Sequence, residues 1–389
     1  MHEKLYYTQP DVFEWQTKII SYEKKEDHYD VILEETAFYP EGGGQPSDTG
    51  MIADITVEEI IKQDDVVHHI LSSLPSTEKV SCQIDGRRRI DHTQQHTGQH
   101  LLSAVCIELF DAPTVSFHLG IETVTIDIQI AELTTDMIKE IEQLANEYIY
   151  QNRKIKTYFV TEAELDSLPL RKLPKVRDNI RIVEIDGIDV SACAGTHVSQ
   201  TAEIGALKIV KTEKQKNNTR VYFICGFRAL TDYQESHNTV ADLSAKFSTN
   251  RTGLAARVEK LLQDQKKLEK ENATLKEELL TYQAEKMLAR AENGLLVHSF
   301  NDLTFKEIQM LSIQMVKKAD IVALFAAETV NKVLLAHNGF SEVNSGLLFK
   351  EYVGQFNGRG GGSNKSAQAG FSSKEDCRRF VELISTKLV

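Results

Sequence analysis

At 389 residues the chain is too long for one ordinary hydrophobic core, so two to four domains are expected. Its 41% hydrophobic and 26% charged content is that of soluble globular protein, and no apolar run approaches the length of a membrane span. A formal net charge of −12 argues against a nonspecific nucleic-acid coat, but it leaves room for an RNA enzyme that needs only a local basic surface. Met1-His2-Glu3-Lys4 lacks the basic-then-apolar start of a signal peptide, and five irregularly spaced cysteines do not form a disulfide framework. A reducing cytoplasm is the expected location.

Residues 1–90 read as strands and turns, and a small β-barrel is expected. Asp30–Leu33 and Ile52–Val57 are strand-like; Glu41–Pro46 and Asp85-Gly86 are turn signals. Residues 91–232 read as an α+β domain. A helix is expected to begin near Asp91, with Gln94 at the capping-box distance and Leu101, Leu102, Val105 and Leu109 following. Val124–Ile130 suits a strand, and Thr135 suits the cap of a helix carrying Ile138, Ile141, Leu144 and Ile149. Ile180–Ile185, Ala206–Val210 and Val221–Cys225 suit strands.

Residues 233–294 shift to Lys, Glu, Leu and Ala. Leu254, Val258, Leu261, Gln265, Leu268, Asn272, Leu275, Leu279 and Tyr282 follow alternating four- and three-residue steps, a coiled-coil seam. Two outcomes follow from it: a homodimer through the seam, or an antiparallel hairpin packed on itself. Residues 295–389 alternate as a compact α/β module. Helices are expected at Phe305–Lys318, Leu347–Phe356 and Lys374–Thr386, and strands at Ile321–Ala327 and Val333–His337. Gly358–Ser363 reads as a loop.

Two runs carry the chemistry. His96-Thr97-Gly98-Gln99-His100 and Cys193-Ala194-Gly195-Thr196-His197 each space two metal-binding side chains four residues apart. On a helix that spacing puts both on one face, about 6 Å apart along the axis. The second run falls between strands, so a turn is expected to present it. Either run alone is as well explained by a solvated face or a buried cysteine. Together, three imidazoles and one thiolate form a borderline-soft set that suits zinc best among the common biological metals.

Three basic clusters are candidate RNA contacts or ordinary solvated faces. They are Arg87, Arg88 and Arg89; Arg171, Lys172, Lys175, Arg177 and Arg181; and Lys208, Lys211, Lys214, Lys216 and Arg220. At Gly360-Gly361-Gly362, consecutive unshielded N–H groups flanked by Arg359 and Lys365 suit either a phosphate nest or a flexible linker.

In order, Thr36–Pro46, His96–Leu102 and Cys193–His197 with Glu203-Ile204-Gly205 resemble the editing half of alanyl-tRNA synthetase. The Gly360–Ser363 stretch resembles the terminal module of the same enzymes, also found in DHH-type phosphoesterases. With no aminoacylation half ahead of it, the chain resembles the free-standing alanyl-tRNA editing proteins, in the long form of the AlaX group. The resemblance implies a hydrolase that clears serine, and to some degree glycine, from tRNA(Ala). It implies one Zn2+ per chain on His96, His100, Cys193 and His197. It also implies a pocket bordered by Gly43, Gly44 and Gln45, with Thr36 contacting the serine hydroxyl or, equally, packing as a strand residue. Further implied are tRNA contacts at Arg87, Arg88, Arg359, Gly360, Gly361, Gly362 and Lys365.

Two departures stand out: Ala194 replaces a glycine common in relatives, and Thr114–Gly120 lacks an expected glutamine. Four protein ligands also fill a tetrahedral site, whereas catalytic zinc keeps a position open. Either one ligand, His197 or Cys193, binds weakly, or the metal expands to five-coordinate. A noncatalytic tRNA-binding protein with structural zinc is one competing reading. A metal-dependent phosphoesterase is another, although Asp91-His92-Thr93 departs from the Asp-His-His pattern at its third position.

Overall fold

The computed structural model describes residues 3–172, 179–291 and 293–388, so Lys175 and Arg177 lie outside the described residues. The architecture is mixed α/β and multidomain, and the chain divides after Leu243 into two compact units.

In the first unit, six strands hydrogen-bond in a closed order. Glu14–Lys24 pairs with Tyr29–Leu33, which pairs with Val66–Leu71 and through it with Ile55–Gln63. Gly50–Ile52 joins Ile55–Gln63 to Lys79–Ile84, which returns to Glu14–Lys24. Alternating side chains turn Val31, Leu33, Ile52, Val57, Val80 and Cys82 into one core with Phe38 and Tyr39. Ile52–Val57 is not one strand but the ends of two. Ala53 and Asp54 turn between them at φ 48° and 62°.

The helix Gly86–Phe110 follows, beginning five residues earlier than the expected Asp91. Asp85-Gly86 is its start signal: the Asp85 side chain accepts from Arg88 N at 3.1 Å and satisfies an otherwise unpaired donor. Asp91 lies within the first turns and binds the Arg228 guanidinium (Nη2 to Oδ2, 2.7 Å). The helix is buried from His92 through Cys106. One face packs Leu101, Leu102, Val105 and Cys106 against the sheet ordered Leu207–Gln215, Asn218–Cys225, Val124–Ile128, Thr114–Leu119, and against the helix Thr135–Tyr150. Thr134, one residue before the expected cap, caps that second helix through Met137 N. The strands Ile155–Val160, Ile180–Ile185 and Asp189–Ala192 form a separate antiparallel sheet. The Cys193–His197 turn leaves its last strand.

In the second unit, the helix Leu254–Leu288 carries the predicted seam. Val258, Leu261, Leu268, Leu275, Leu279 and Tyr282 are all exposed on it. The C-terminal module is a sheet ordered Leu295–Phe300, Val322–Ala327, Lys332–His337, Ser366–Gly370, Arg359–Gly362, with the helices Phe305–Lys318, Ser345–Tyr352 and Lys374–Leu388. The glycine run is thus an edge strand and not a loop. A Cβ on Gly360 or Gly362 would meet the backbone of Ser366–Ala369 within 3 Å, so glycine is what allows the close pairing.

Candidate metal centre

His96 and His100 come from one face of the buried helix, and Cys193 and His197 from the turn after Asp189–Ala192. One ligand atom from each of the four lies within 4.8 Å of the others. One glycine permits this approach and a second lets the helix seat on the sheet behind it. A Cβ on Gly195 would lie 2.1 Å from His96 Cε1, and a Cβ on Gly98, between the two helical ligands, would lie 2.3 Å from Cys225 Sγ.

Each imidazole has its outer nitrogen engaged, and the partners fix the tautomers. Thr196 N donates to Gln45 Oε1 at 3.1 Å, and this identifies the amide oxygen. That oxygen can only accept, so His96 Nδ1, at 2.8 Å, carries the proton. The Asp189 carboxylate accepts from His100 Nδ1 at 3.1 Å and is itself held by Arg171 Nε at 2.8 Å and Ser191 Oγ at 2.9 Å. The Thr97 hydroxyl donates to the Thr93 carbonyl at 2.8 Å, leaving it to accept from His197 Nδ1 at 3.2 Å. All three Nε2 atoms are left to face a common centre, with the outer groups orienting the rings.

Cys193 Sγ lies 3.4 Å from His96 Nε2 and 3.3 Å from His197 Nε2. Burial pushes the thiol up, but His96 and His197 outweigh it and hold Cys193 well below the ordinary thiol range. Burial pushes His197 down to about 3, so it stays neutral. The Cys193 sulfur and the imidazole nitrogens thus face one another at close range, a donor set that suits a cation. Zinc–sulfur and zinc–nitrogen bonds of about 2.3 and 2.0 Å at a tetrahedral angle put the donors roughly 3.5 Å apart, so the observed separations fit. For His100, burial lowers the pKa but the bonds to Asp189 and Cys193 outweigh it. Burial raises Asp189, yet His100 and Arg171 bring it down to about 2.

Gly43 and Gly44 adopt left-handed backbone at φ 58° and 83°, which turns the chain so that Gln45 points inward. Gly44 lies against the Phe117 ring, which is 5.2 Å from the His96 ring. The glycine loop, Phe117 and His96 are therefore contiguous. The loop is anchored by a buried pair that the basic run 87–89 conceals: Arg89 binds Asp48, which also accepts from Tyr39 N at 2.7 Å. Arg89 is hence a core residue and not an RNA contact. Arg87 is exposed over the Phe227 ring, and Arg88 donates to Ser47 O at 3.0 Å. Arg171 is likewise engaged within the fold, and Arg181 is engaged through Nη1 alone. Thr36 is fully buried, its hydroxyl 2.9 Å from His69 Nε2 and accepting from Phe38 N at 3.2 Å. His69 Nδ1 faces the Val31 carbonyl at 3.0 Å, so Nε2 is the acceptor and the Thr36 proton points to it. Arg359, the glycine strand and Lys365 are exposed or half-buried in the second unit.

Gln45 was legible as a loop residue, but its hydrogen bond to His96 spans 51 positions. Asp189 and Thr97 had no distinguishing sequence signal. The phosphoesterase reading loses its footing, because Asp91 is paired with Arg228.

Comparison with known proteins agrees with this geometry. The family described as the threonyl and alanyl tRNA synthetase second additional domain matches residues 180–222, and class II (A) tRNA synthetases match residues 5–88. The chain is 32% identical to the alanyl-tRNA editing protein AlaX-L of Pyrococcus horikoshii over 97% of its own length and 96% of that protein's. It is 35% identical to the alanyl-tRNA editing protein Aarsd1-A of Xenopus laevis over 68% of this chain and 66% of that one. It is 31% identical to alanine–tRNA ligase of Ignicoccus hospitalis, covering 98% of this chain and 42% of the ligase. Fold and site thus define an editing-type relative of the alanyl synthetases. The chain belongs to the alanyl-tRNA editing protein family.

Proposed function

We propose that the protein is a cytoplasmic trans-editing hydrolase that deacylates Ser-tRNA(Ala), and to a lesser degree Gly-tRNA(Ala), with one zinc ion per chain held by His96, His100, Cys193 and His197. The observation that carries this reading is the tautomer-locked tetrad, three Nε2 atoms and the Cys193 sulfur aimed at one point. Bound zinc supplies Lewis acidity and a coordinated water of lowered pKa. Gln45, Asp189 and Thr97 hold the imidazoles in the donating orientation. Of the four residues that would hold the ion, Cys193 is the least buried, so it would be the one to yield a position to substrate. Gly43 and Gly44 border the entrance for the acylated adenosine. Thr36 supports that wall through His69.

A synthetic pocket cannot strongly reject serine for its added hydroxyl, so a second, hydrolytic site has a clear purpose. The working organisation is a small N-terminal β-barrel domain over 1–90, the zinc editing domain over 91–232, a helical arm over 233–294, and a tRNA-binding module over 295–389. Arg87 and Arg88 near the site, and Arg359, Gly360, Gly361, Gly362 and Lys365 on the module, contact tRNA. The exposed seam of Leu254–Leu288 pairs with the same seam of a second copy.

The test is deacylation of Ser-tRNA(Ala) by wild type and His96→Ala. A loss of about 10²-fold or more is expected, given how strongly metal-site integrity governs such activity. A full rate in the variant would leave the metal a purely structural role.

A further inference from the structure

Arg181, in the strand Ile180–Ile185, is 5% exposed, yet its guanidinium is only partly engaged. Nη1 donates to the carbonyls of Cys193 at 2.9 Å and Gly195 at 2.8 Å, which ties the group to the metal-binding turn. Nε and Nη2 are buried and have no hydrogen-bond partner, and no carboxylate among the described residues pairs with them. These two N–H groups lie along one edge of the planar cation and point the same way, a fork that matches two oxygens of a carboxylate or phosphate. Buried N–H donors left without acceptors are unfavourable, and an arriving oxyanion removes that penalty.

An aromatic group lies against this guanidinium. The Tyr7 ring lies over the guanidinium at 5.2 Å. Tyr6 packs edge-on against both Tyr7 and Tyr39. Tyr7 is only half-buried, on the short turn Leu5–Thr8, and its ring also packs edge-on against Phe159.

We propose that the Nε–Nη2 edge of Arg181 is an oxyanion site that takes the phosphodiester preceding the acylated adenosine, with Tyr7 moving aside as it enters. This rests on the ester-hydrolase reading above. An aminoacyl ester has no free carboxylate, so the phosphodiester is its oxyanion nearest the reacting bond. The proposal makes Arg181 a positioning residue that registers the ester against the metal.

The experiment is calorimetric binding of adenosine, adenosine 5′-monophosphate, inorganic phosphate and free serine to zinc-loaded wild type and Arg181→Lys, with metal content checked for both. The monophosphate is expected to bind wild type at least tenfold more tightly than adenosine. In Arg181→Lys the gap should fall below threefold while adenosine affinity is kept. Equal affinities in wild type, or a gap that persists in the variant, would overturn the site. So would Arg181-dependent binding of serine without any for the monophosphate, which would make it a product-carboxylate site. Tight binding of inorganic phosphate equal to that of the monophosphate would also overturn it, since the nucleoside would then contribute nothing. If Arg181→Lys fails to load metal, the wild-type comparison decides alone. Because binding is read without turnover, a protein that hydrolyses no ester but shows the Arg181-dependent gap refutes the function and keeps the site.

Discussion

Gln45 Oε1 accepts the Nδ1 proton of His96 at 2.8 Å, a bond that joins the glycine-rich loop to the first residue of the candidate metal centre across 51 positions of sequence. Replacing Gln45 with Leu removes the acceptor and frees the ring to rotate. Metal affinity should fall about 10- to 100-fold, the usual consequence of losing an orienting partner. Competition against a chromophoric chelator measures it directly. An unchanged constant would mean that Gln45 does not orient the ligand.

Gly195 is the tightest point of the site. Its missing side chain leaves the room that the His96 ring occupies, so Gly195→Ala must displace either the turn or the ring. The expected outcome is a folded protein that retains less than one-tenth of the wild-type metal after dialysis. Plasma emission spectrometry checks the stoichiometry and circular dichroism checks the fold. Wild-type loading would contradict the packing described.

His92, one turn before His96 on the buried helix, has an Nδ1 with no partner, and burial pushes its pKa down to about 4. The unfolded chain protonates this imidazole near 6.5, so between about 6.5 and 4 the unfolded state binds the extra proton. Stability is therefore full above pH 6.5 and is lost as pH falls towards 4, by up to about 3 kcal/mol. Urea unfolding of metal-free wild type and His92→Gln at pH 7 and pH 4.5 isolates this contribution. Parallel losses in both proteins would assign the acid sensitivity elsewhere.

On the long helix, Leu268 and Leu275 are each 64% exposed, so charge placed there disturbs no core. The double substitution Leu268→Lys and Leu275→Lys should convert a dimer to a monomer in sedimentation equilibrium at micromolar concentration, with helicity nearly unchanged. A wild-type protein that is already monomeric would show that the seam does not pair.

The four clustered residues were readable because helical geometry converts a four-residue interval into one face, and because a matching interval recurs about a hundred positions later. Their supporting groups were not, since Gln45, Asp189 and Thr97 act through contacts that only the tertiary fold creates. Local signals also misled in instructive ways. Asp85-Gly86 satisfies turn chemistry and cap chemistry alike, and the long buried run after it decided for the helix. Arg89 sits in a basic triplet, but an internal carboxylate at Asp48 draws it inward. The glycines at 360–362 have no side-chain pattern to mark a strand, so only the neighbouring Ser366–Gly370 reveals their pairing.

Because every imidazole is tethered at Nδ1, none of the three rings can flip to offer its other nitrogen. An incoming ion meets one fixed arrangement of donors, already assembled. Capture then requires the ion to shed its hydration shell more than it requires the chain to reorganise. A chain that lost such an ion would then be separated from recovery by a collision and not by refolding.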